Sequence, residues 1–186
     1  MHVLSSLIPD VLILEPRVFA DERGSFYESF NQRAFEAAIG GPVAFVQDNH
    51  SHSRRGVLRG LHHQREQPQG KLVRVVSGVV FDVAADIRPG SATFGRWVGV
   101  ELSAANRRQV WIPPGLAHGF LVLSETADVL YKTTDYYAPQ HERCVLWNDP
   151  TLAVTWPLTT PPILSPRDAC GERLQPEGGP RGEGRL

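Results

Sequence analysis

The sequence predicts a mainly β fold, a jelly-roll barrel with one or a few short helices. The first observation is that short segments rich in β-branched and aromatic residues follow one another from Val43 onward, separated by glycine, proline or serine breaks. The second is that no helical periodicity appears after that point. Many short strands with closely spaced turns are typical of a barrel or a sandwich, and a jelly roll is the form that we expect.

The N-terminal residues, 3–30, alternate short apolar runs with turn-like breaks, as in VLILEPRVF followed by ADERG. The second break leads into the segment SFYESF. Because successive side chains of a strand point to opposite faces, Phe26, Glu28 and Phe30 are expected to share one face of a strand.

One helix is predicted, over Gln32 to Ile39. Asn31 is suited to cap its N-terminus, and Gly40 with the glycine after it is suited to end it. Phe35 and Ile39 are four residues apart and therefore lie on one stripe of the helix. A helix of this length is stabilised mainly by packing against the rest of the protein.

Seven segments after the helix are predicted to contain strands. In chain order they read AFVQDNHSHS, GVLRGLHHQ, KLVRVVSGVVFDVAADI, RWVGVEL, RQVWIPP, HGFLVLS and DVLYKTTDYY. In the last segment, alternation is expected to place these side chains on one face: Val129, Tyr131, Thr133, Asp135 and Tyr137. Two tyrosines inside a barrel would supply a proton donor and a flat stacking surface, although a tyrosine on a strand is more often structural.

Composition excludes several classes of protein. The formal net charge of −1 and the pI of about 6.7 predict no nucleic-acid partner. No apolar segment approaches the length of a membrane span, so no membrane partner is expected. Cys144 and Cys170 lack CxxC spacing, which favours a reduced, cytoplasmic setting.

We predict a single domain over residues 1–174 and a disordered tail, rich in glycine and proline, over residues 175–186.

The densest cluster of chemically active residues is GVLRGLHHQREQPQGK, Gly56 to Lys71. Proton abstraction from an acidic carbon requires a histidine that titrates near neutral pH, beside fixed cations. His62 and His63 are adjacent and are therefore expected to point to opposite faces of a strand. Gly60 is expected to mark a bulge that lets Arg59 and His62 both reach a pocket. The alternative is an exposed strand end whose histidines have no function.

The same stretch resembles half of the metal site of cupin barrels, and PPGLAH at residues 113–118 resembles the other half. The metal-binding form needs two histidines separated by one residue, so that both point to one face. Here Gln64 stands where the second ligand would be. His50 and His52 have the right spacing but precede the glycine that should come first. No metal site is therefore expected, and a metal-dependent barrel stays an alternative.

Other charged residues are candidates for acid–base chemistry or anion binding. Asp168, in LSPRD, could orient a histidine, as carboxylates do in catalytic dyads, or could be a solvated loop carboxylate. Arginine matches phosphate with two hydrogen bonds and lysine is a compact charge, although each alone is more often a surface charge. The candidates for anion binding are Arg23, Arg59, Arg167 and Lys71. Glycine-rich phosphate loops and dinucleotide fingerprints do not occur in the sequence, so hydride transfer has no support.

Taken together, the motifs resemble one family, the sugar-nucleotide epimerases of deoxysugar synthesis related to dTDP-4-dehydrorhamnose 3,5-epimerase. The resemblance extends in order over roughly residues 5–170. The segments that carry it are GVLRGLHHQ, QGKLVRVVSGVVFDVAADIR, TFGRWVGVELSA, WIPPGLAHGFLVLSE, YKTTDYY and LSPRDA. It implies a cupin-type jelly roll, a homodimer in which strands are exchanged, a dTDP-sugar substrate, and no metal or organic cofactor.

The resemblance also implies roles for individual residues. His62 would be the base that removes a proton from the sugar ring, and Asp168 would pair with it and hold the useful tautomer. Tyr131 would return a proton from the opposite face, and Lys71 would stabilise the enolate near the 4-keto oxygen. The nucleotide sugar would be bound by Arg23, Glu28, Gln47, Asn49, Arg59, His118, Tyr137, Glu142 and Arg167, with Tyr137 stacking on the base or the neighbouring part of the substrate. At His63 the chain departs from the family, which more often has phenylalanine there.

The leading hypothesis is 3,5-epimerisation of dTDP-4-dehydro-6-deoxyglucose to dTDP-4-dehydro-L-rhamnose in rhamnose biosynthesis. Loss of a proton alpha to a ketone gives a delocalised enolate, and fixed cations stabilise the developing oxyanion. A base on one face and an acid on the other give inversion. The alternatives are a C3-only or C5-only epimerase of an antibiotic deoxysugar pathway, and a cupin-like barrel that only binds a sugar nucleotide.

Overall fold

A computed structural model describes residues 1–175 of the chain. Apart from Gln175, the tail predicted to be disordered lies outside the described residues. Within this range, thirteen strands form two large sheets and a separate hairpin, and two short helices pack beside them. Neither of these helices has the length and apolarity needed to cross a bilayer.

The first sheet has six strands, and each pairs antiparallel with its neighbours. Its spatial order is β1 (His2–Leu4), β2 (Leu12–Glu15), β10 (Gln109–Ile112), β7 (Lys71–Ser77), β12 (Thr126–Thr133) and β5 (Gln47–Arg54). The second sheet has five antiparallel strands in the order β13 (Glu142–Cys144), β6 (Leu58–Gln64), β11 (Ala117–Val122), β8 (Val79–Ala85) and β9 (Trp97–Ser103). The hairpin consists of β3 (Val18–Asp21) and β4 (Gly24–Tyr27), and the helices are α1 (Gln32–Ile39) and α2 (Pro166–Ala169).

The main core lies between the two large sheets. Strand β9 illustrates the pattern, because Val98, Val100 and Leu102 are buried while the residues between them are exposed. They pack in one cluster with side chains of the first sheet, among them Val73 and Val129, which are fully buried. Burial of each such side chain contributes about 1.5–3 kcal/mol before the loss of conformational entropy is subtracted. Two antiparallel sheets around a shared core form the predicted jelly roll.

Helix α1 is confirmed as predicted. The Asn31 side chain accepts a hydrogen bond from the Ala34 amide, and Gly40 ends the helix with φ of 79°, in the left-handed region. Phe35 is 1% exposed and packs edge-on against Trp111 with ring centroids 5.3 Å apart. Helix α2 lies where only a loop was expected, and the Ser165 side chain caps it.

The expected strand face of Phe26, Glu28 and Phe30 is wrong. Strand β4 ends at Tyr27, because the chain turns there towards the Asn31 cap of α1. Phe26 is 71% exposed on the hairpin, whereas Phe30 packs with Phe35 in the cluster under α1.

The segment DVLYKTTDYY is a strand only as far as Thr133. The Thr133 hydroxyl donates to the Asp135 carbonyl at 2.9 Å, and the Asp135 carboxylate accepts from the Tyr136 amide at 2.7 Å. Such local bonds compete with the sheet ladder and turn the chain. Asp135 and Tyr137 therefore lie in a loop, and the prediction that alternation places them on the strand face is wrong.

Candidate active site

A cavity of about 260 Å³ opens between the two sheets, at the end where the first sheet contributes β5, β7 and β12 and the second contributes β6 and β13. Seven of the residues predicted for the site line it, namely His62, Lys71, Tyr131, Gln47, Asn49, Tyr137 and Glu142. The strand pairing explains how they meet. Tyr131 lies opposite Asn49 across one ladder, and Glu142 lies opposite Gln64, two residues after His62, across another.

His62 and Asp168 form the dyad that was predicted from the sequence. His62 Nε2 lies 2.6 Å from Asp168 Oδ1, and the two side chains are 29% and 5% exposed. The Ser165 hydroxyl donates to the second oxygen of Asp168 at 2.7 Å, and the Gly60 amide donates to the first at 3.3 Å. Burial would raise the pKa of Asp168, but the hydrogen bonds from His62 and Ser165 outweigh it and lower the pKa to about 2.

The ionised Asp168 decides the tautomer of His62. A carboxylate only accepts hydrogen bonds, so the contact at 2.6 Å requires a proton on His62 Nε2. In the uncharged ring, Nδ1 then keeps its lone pair. The arrangement provides a half-buried imidazole with one basic nitrogen on the wall of the cavity.

The bulge predicted at Gly60 is confirmed. His62 pairs with His118 and Arg59 pairs with Phe120, so three steps along β6 oppose two steps along β11. Gly60 has φ of 119°, and a Cβ there would lie 2.5 Å from the Cα of Gly119. Only glycine fits this close approach. Arg59 does not line the described cavity, and its Nε donates to the Ser53 hydroxyl at 3.0 Å.

Lys71 places a buried cation next to His62. The residue is 8% exposed, and its Nζ donates to the His62 carbonyl oxygen at 3.4 Å. Burial lowers the pKa of Lys71 to about 8, against the opposing effect of the negative charges of Asp82 and Glu142. At neutral pH the side chain is therefore still mostly protonated.

Tyr131 faces the cavity from the other sheet. It lies on β12 in the six-stranded sheet, whereas His62 lies on β6 in the five-stranded sheet, and both line the cavity. Burial raises the pKa of Tyr131, while Arg59 acts in the opposite direction. The phenol is consequently a neutral proton donor on the side of the cavity opposite to the imidazole.

A hydrogen-bonded cluster closes one side of the cavity. The Tyr137 hydroxyl donates to Glu142 at 2.5 Å, and Arg167 donates to the same carboxylate oxygen. The Tyr137 backbone amide donates to the Gln47 side chain, whose amide group donates to Asn49 at 2.8 Å. Tyr137 is nevertheless 49% exposed, so its ring is accessible to a ligand.

Besides Arg59 and Arg167, three of the predicted binding residues do not line the cavity. His118 is 6% exposed, its Nε2 is 2.9 Å from Asp82, and it lies opposite His62 in the β6–β11 pairing without lining the cavity. Arg23 lies in the β3–β4 hairpin with an 89% exposed side chain paired with Asp21. Glu28, just after the hairpin, accepts a hydrogen bond from Asn31. None of the three lines the cavity described here.

The sequence reasoning missed Gln64 and Gln69 as lining residues. The Gln64 side chain accepts from the Ala138 amide at 2.8 Å and donates to the Tyr136 carbonyl at 3.3 Å, so it holds the loop that carries Tyr137. Gln64 lies two residues after His62, so strand alternation predicts it on the same face as His62. The sequence had suggested only that Gln64 replaces a metal ligand of the cupin pattern. His63 also lines the cavity, so the expectation that it faces away from the site is wrong. Burial lowers the pKa of His63 to about 4, which keeps the ring uncharged.

Two groups of side chains have ligand atoms of the kind that metals bind. Among the described residues, His62, Cys144 and Asp168 offer three ligand atoms within 4.8 Å of one another. His50 and His52, noted for their spacing, both lie 3.0 Å from Oδ1 of Asp128 on the neighbouring strand, away from this cavity. In neither group do two histidines point to one face of β6, as the cupin pattern would require.

The chain is similar over most of its length to a group of sugar-nucleotide epimerases. The sequence model of a family described as dTDP-4-dehydrorhamnose 3,5-epimerase matches residues 5–176. Proteins of that name from Pseudomonas aeruginosa and Escherichia coli K12 are 66% and 62% identical, covering 89% and 94% of this chain and 91% and 93% of theirs. A crystal structure of dTDP-6-deoxy-D-glucose-3,5-epimerase from Legionella pneumophila Philadelphia 1, in complex with dTDP-4-keto-L-rhamnose, matches with a TM-score of 0.91 and 54% identity, covering 93% of this chain and 92% of that one.

Proposed function

Since this chain belongs to the dTDP-4-dehydrorhamnose 3,5-epimerase family, we propose that it is an isomerase that inverts C3 and C5 of dTDP-4-dehydro-6-deoxyglucose. The product is dTDP-4-dehydro-L-rhamnose, an intermediate of rhamnose biosynthesis. The observation that carries the proposal is the placement of a histidine–aspartate pair and a tyrosine on opposite walls of one cavity. The reaction needs no metal or organic cofactor, since side chains supply the base, the acid and the charge.

His62 is the base. Its Nδ1 removes the proton from the ring carbon next to the 4-keto group, and the resulting imidazolium is stabilised by the Asp168 carboxylate at 2.6 Å. Ser165 and the Gly60 amide keep Asp168 ionised and correctly oriented. They are positioning groups, because they act through Asp168.

Lys71 stabilises the enolate. The ammonium group is buried next to His62, where the low polarity of the surroundings strengthens its interaction with a developing negative charge. Tyr131 then returns a proton to the opposite face of the ring, which inverts the centre. The same pair then serves C5, which is alpha to the same ketone, once the imidazolium has released its proton to solvent and the tyrosinate has taken one up.

The nucleotide binds around the Tyr137 cluster. Tyr137 offers an accessible ring for stacking, and Arg167, which shares Glu142 with it, offers a guanidinium group for the diphosphate. Arg59, exposed on β6 outside the described cavity, is a second candidate for the diphosphate. Gln47, Asn49 and Glu142 bind polar groups of the substrate. His118 supports the strand that carries the base, because it lies opposite His62 in the β6–β11 pairing and is held by Asp82.

A second copy of the chain completes the site. Arg23 and Glu28 do not line the cavity of their own chain, and they belong to a hairpin region with exposed aromatic residues. In a homodimer the hairpin of one copy reaches the cavity of the other and brings these two side chains to the nucleotide. A reducing, cytoplasmic setting is consistent with Cys144 and Cys170, which are both free thiols.

The test is isotope incorporation from deuterated water. With dTDP-4-dehydro-6-deoxyglucose as substrate, proton NMR is expected to show deuterium entering at both C3 and C5, with inversion at each. Deuterium and inversion at only one carbon would identify a C3-only or C5-only epimerase. Absence of deuterium at both carbons, together with binding of dTDP in calorimetry, would identify a protein that only binds the nucleotide.

The adjacent histidines provide the matched variants for the base. His62→Ala is expected to reduce deuterium incorporation on the order of 10²–10⁴-fold while largely keeping the affinity for dTDP. His63→Ala is expected to go on incorporating deuterium at both carbons, because Asp168 contacts His62 and not His63, and because burial lowers the pKa of His63 to about 4 and so makes it a weak base. Undiminished incorporation in the His62 variant would assign the base to another residue.

A further inference from the structure

We propose that a thiophilic divalent cation such as Zn²⁺ binds to His62, Cys144 and Asp168 and inhibits the enzyme. The inhibition rests on the proposed function of His62, whereas the binding of the ion does not. The reaction itself uses no metal under the proposed mechanism. The ion would therefore act as a regulator or an inhibitor, not as a cofactor.

The strand pairing brings the thiol to the dyad. Strand β13 pairs with β6 so that Cys144 lies directly opposite His62. The Cys144 thiol lies 3.9 Å from Asp168 Oδ1, which in turn lies 2.6 Å from His62 Nε2. Cys144 is 7% exposed and Asp168 is 3% exposed, so the three ligand atoms converge beneath the cavity wall.

The three ligand atoms suit zinc. A nitrogen, a thiolate sulfur and a carboxylate oxygen are ligand types that Zn²⁺ prefers, at bond lengths of roughly 2.0–2.3 Å. In a tetrahedral arrangement these bonds hold the nitrogen and oxygen roughly 3.3 Å apart. The contact between His62 and Asp168, now 2.6 Å, must therefore open slightly, and the Cys144 sulfur, 3.9 Å from the Asp168 oxygen and within 4.8 Å of the His62 nitrogen, must move inward. Because His62 forms part of the cavity wall, the ion enters from the cavity.

The proton balance explains why the ion would inhibit. The Cys144 thiol releases its proton to solvent and binds the ion as thiolate. On His62 the proton moves from Nε2 to Nδ1 as the ion takes the Nε2 lone pair, and Asp168 stays a carboxylate. Nδ1 then no longer accepts the proton of the substrate. Since one proton leaves per ion bound, the apparent affinity is expected to rise with pH.

The binding experiment uses the two cysteines as a matched pair. Calorimetric titration of Zn²⁺ into the full chain is expected to show a site that depends on Cys144, and Co²⁺ is expected to give a thiolate-to-metal absorption band. Cys144→Ser, and Cys144→Ala in case the serine variant folds poorly, are expected to lose the band and at least about tenfold in affinity. Cys170→Ser is expected to behave as the parent protein, because Cys170 is exposed and outside the group of ligand atoms.

The activity experiment tests the inhibition. Zn²⁺ is expected to stop deuterium incorporation in the parent and in Cys170→Ser, and a chelator is expected to restore it. Mg²⁺ prefers oxygen ligands and is expected to have no effect. Each Cys144 variant, compared with its own metal-free rate, is expected to resist Zn²⁺.

Two results would overturn the inference. The first is a cobalt band or zinc affinity that is unchanged in both Cys144 variants, and the second is the absence of a zinc site in the parent protein. Failure of the proposed function is a separate result: the chain would then show no deuterium incorporation even without metal, while the cobalt band would still report binding at Cys144.

Discussion

Lys71 is a side chain of the site whose charge depends on its burial. In water a lysine pKa lies near 10.5, and burial lowers that of Lys71 to about 8. The protonated cation is therefore the main form below pH 8 and is lost as the pH rises through about 8. If this cation stabilises the enolate, turnover must follow its protonation.

We therefore expect kcat to fall by about tenfold per pH unit above pH 8, measured as the initial rate of deuterium incorporation across pH 6–10. Lys71→Arg is expected to move this decline to higher pH, because a guanidinium stays protonated. Lys71→Gln is expected to be slow at every pH and to lack the decline. A parent enzyme with a constant kcat up to pH 10 would show that the charge of Lys71 is not used in the rate-limiting step.

At the scale of single residues, the sequence predicted the pair of residues that would carry the chemistry, but not the side chains that hold the site in position. His62 and Asp168 were expected to pair, and they do so although 106 residues separate them. Ser165 and Gln64 were not expected to matter, because their roles depend on a short helix and a loop that alternation does not describe. The burial of His118 was likewise not visible in its motif, since the sequence does not state which side of β11 faces the core.

Among the secondary-structure elements, β6 has the feature that most directly positions the base. The bulge at Gly60 shifts the register between β6 and β11, and the Gly60 amide itself donates to Asp168. A side chain at this position would meet the backbone of Gly119 and His118 at 2.5 and 2.7 Å. Backbone atoms cannot move aside as the end of a flexible side chain does, so the strands would have to separate.

Gly60→Ala is accordingly expected to lower the free energy of unfolding by about 3 kcal/mol and to reduce turnover, since His62 would be displaced. Gly56→Ala is the matched control. Gly56 also has a positive φ, of 78°, but a Cβ there meets nothing within 4 Å, so a loss of only about 1–2 kcal/mol is expected. Urea unfolding and deuterium incorporation measure both effects. Equal stability losses in the two variants would mean that backbone conformation, not the close approach, governs this site.

The secondary-structure elements also show where the local sequence is sufficient to predict the bounds of a helix or strand. Helix α1 begins and ends as predicted because Asn31 and Gly40 satisfy its terminal groups through contacts within the same segment. The ends of β4 and β12 were extended too far because their last residues have strand-like types while local hydrogen bonds turn the chain. Chain direction at such points depends on a few side-chain contacts, which residue preference alone does not reveal.

At the scale of the whole molecule, the fold class followed from the many short strands, but the order of strands did not. Strand β10 lies between β2 and β7, and β6 lies between β13 and β11, so neighbours in the sheets are far apart in the chain. Residue type and periodicity carry no information on such pairing. The cavity depends on it, because His62 and Tyr131 come from different sheets.

The β3–β4 hairpin exposes aromatic side chains that the rest of the described chain leaves largely uncovered. Phe19 and Phe26 are 51% and 71% exposed, and each pairs with the other across the two strands. Contiguous exposed aromatic surface is typical of an interaction site. Arg23 extends from the tip of the same hairpin, so an interface there would place this cation on a second copy.

We therefore expect the parent chain to be a dimer in light scattering and Phe26→Asp to be a monomer, because burying a carboxylate in an apolar interface is strongly unfavourable. The monomer is expected to keep its fold, as seen by circular dichroism, but to bind dTDP more weakly, since Arg23 and Glu28 would no longer reach the partner's cavity. Ile163→Asp is the control, because Ile163 is also exposed, at 42%, but lies before α2 and bridges to Val57, not to a hairpin strand. It is expected to remain a dimer with full affinity. A Phe26 variant that stays dimeric, or a monomer with unchanged dTDP affinity, would mean that the hairpin does not complete the site of a second copy.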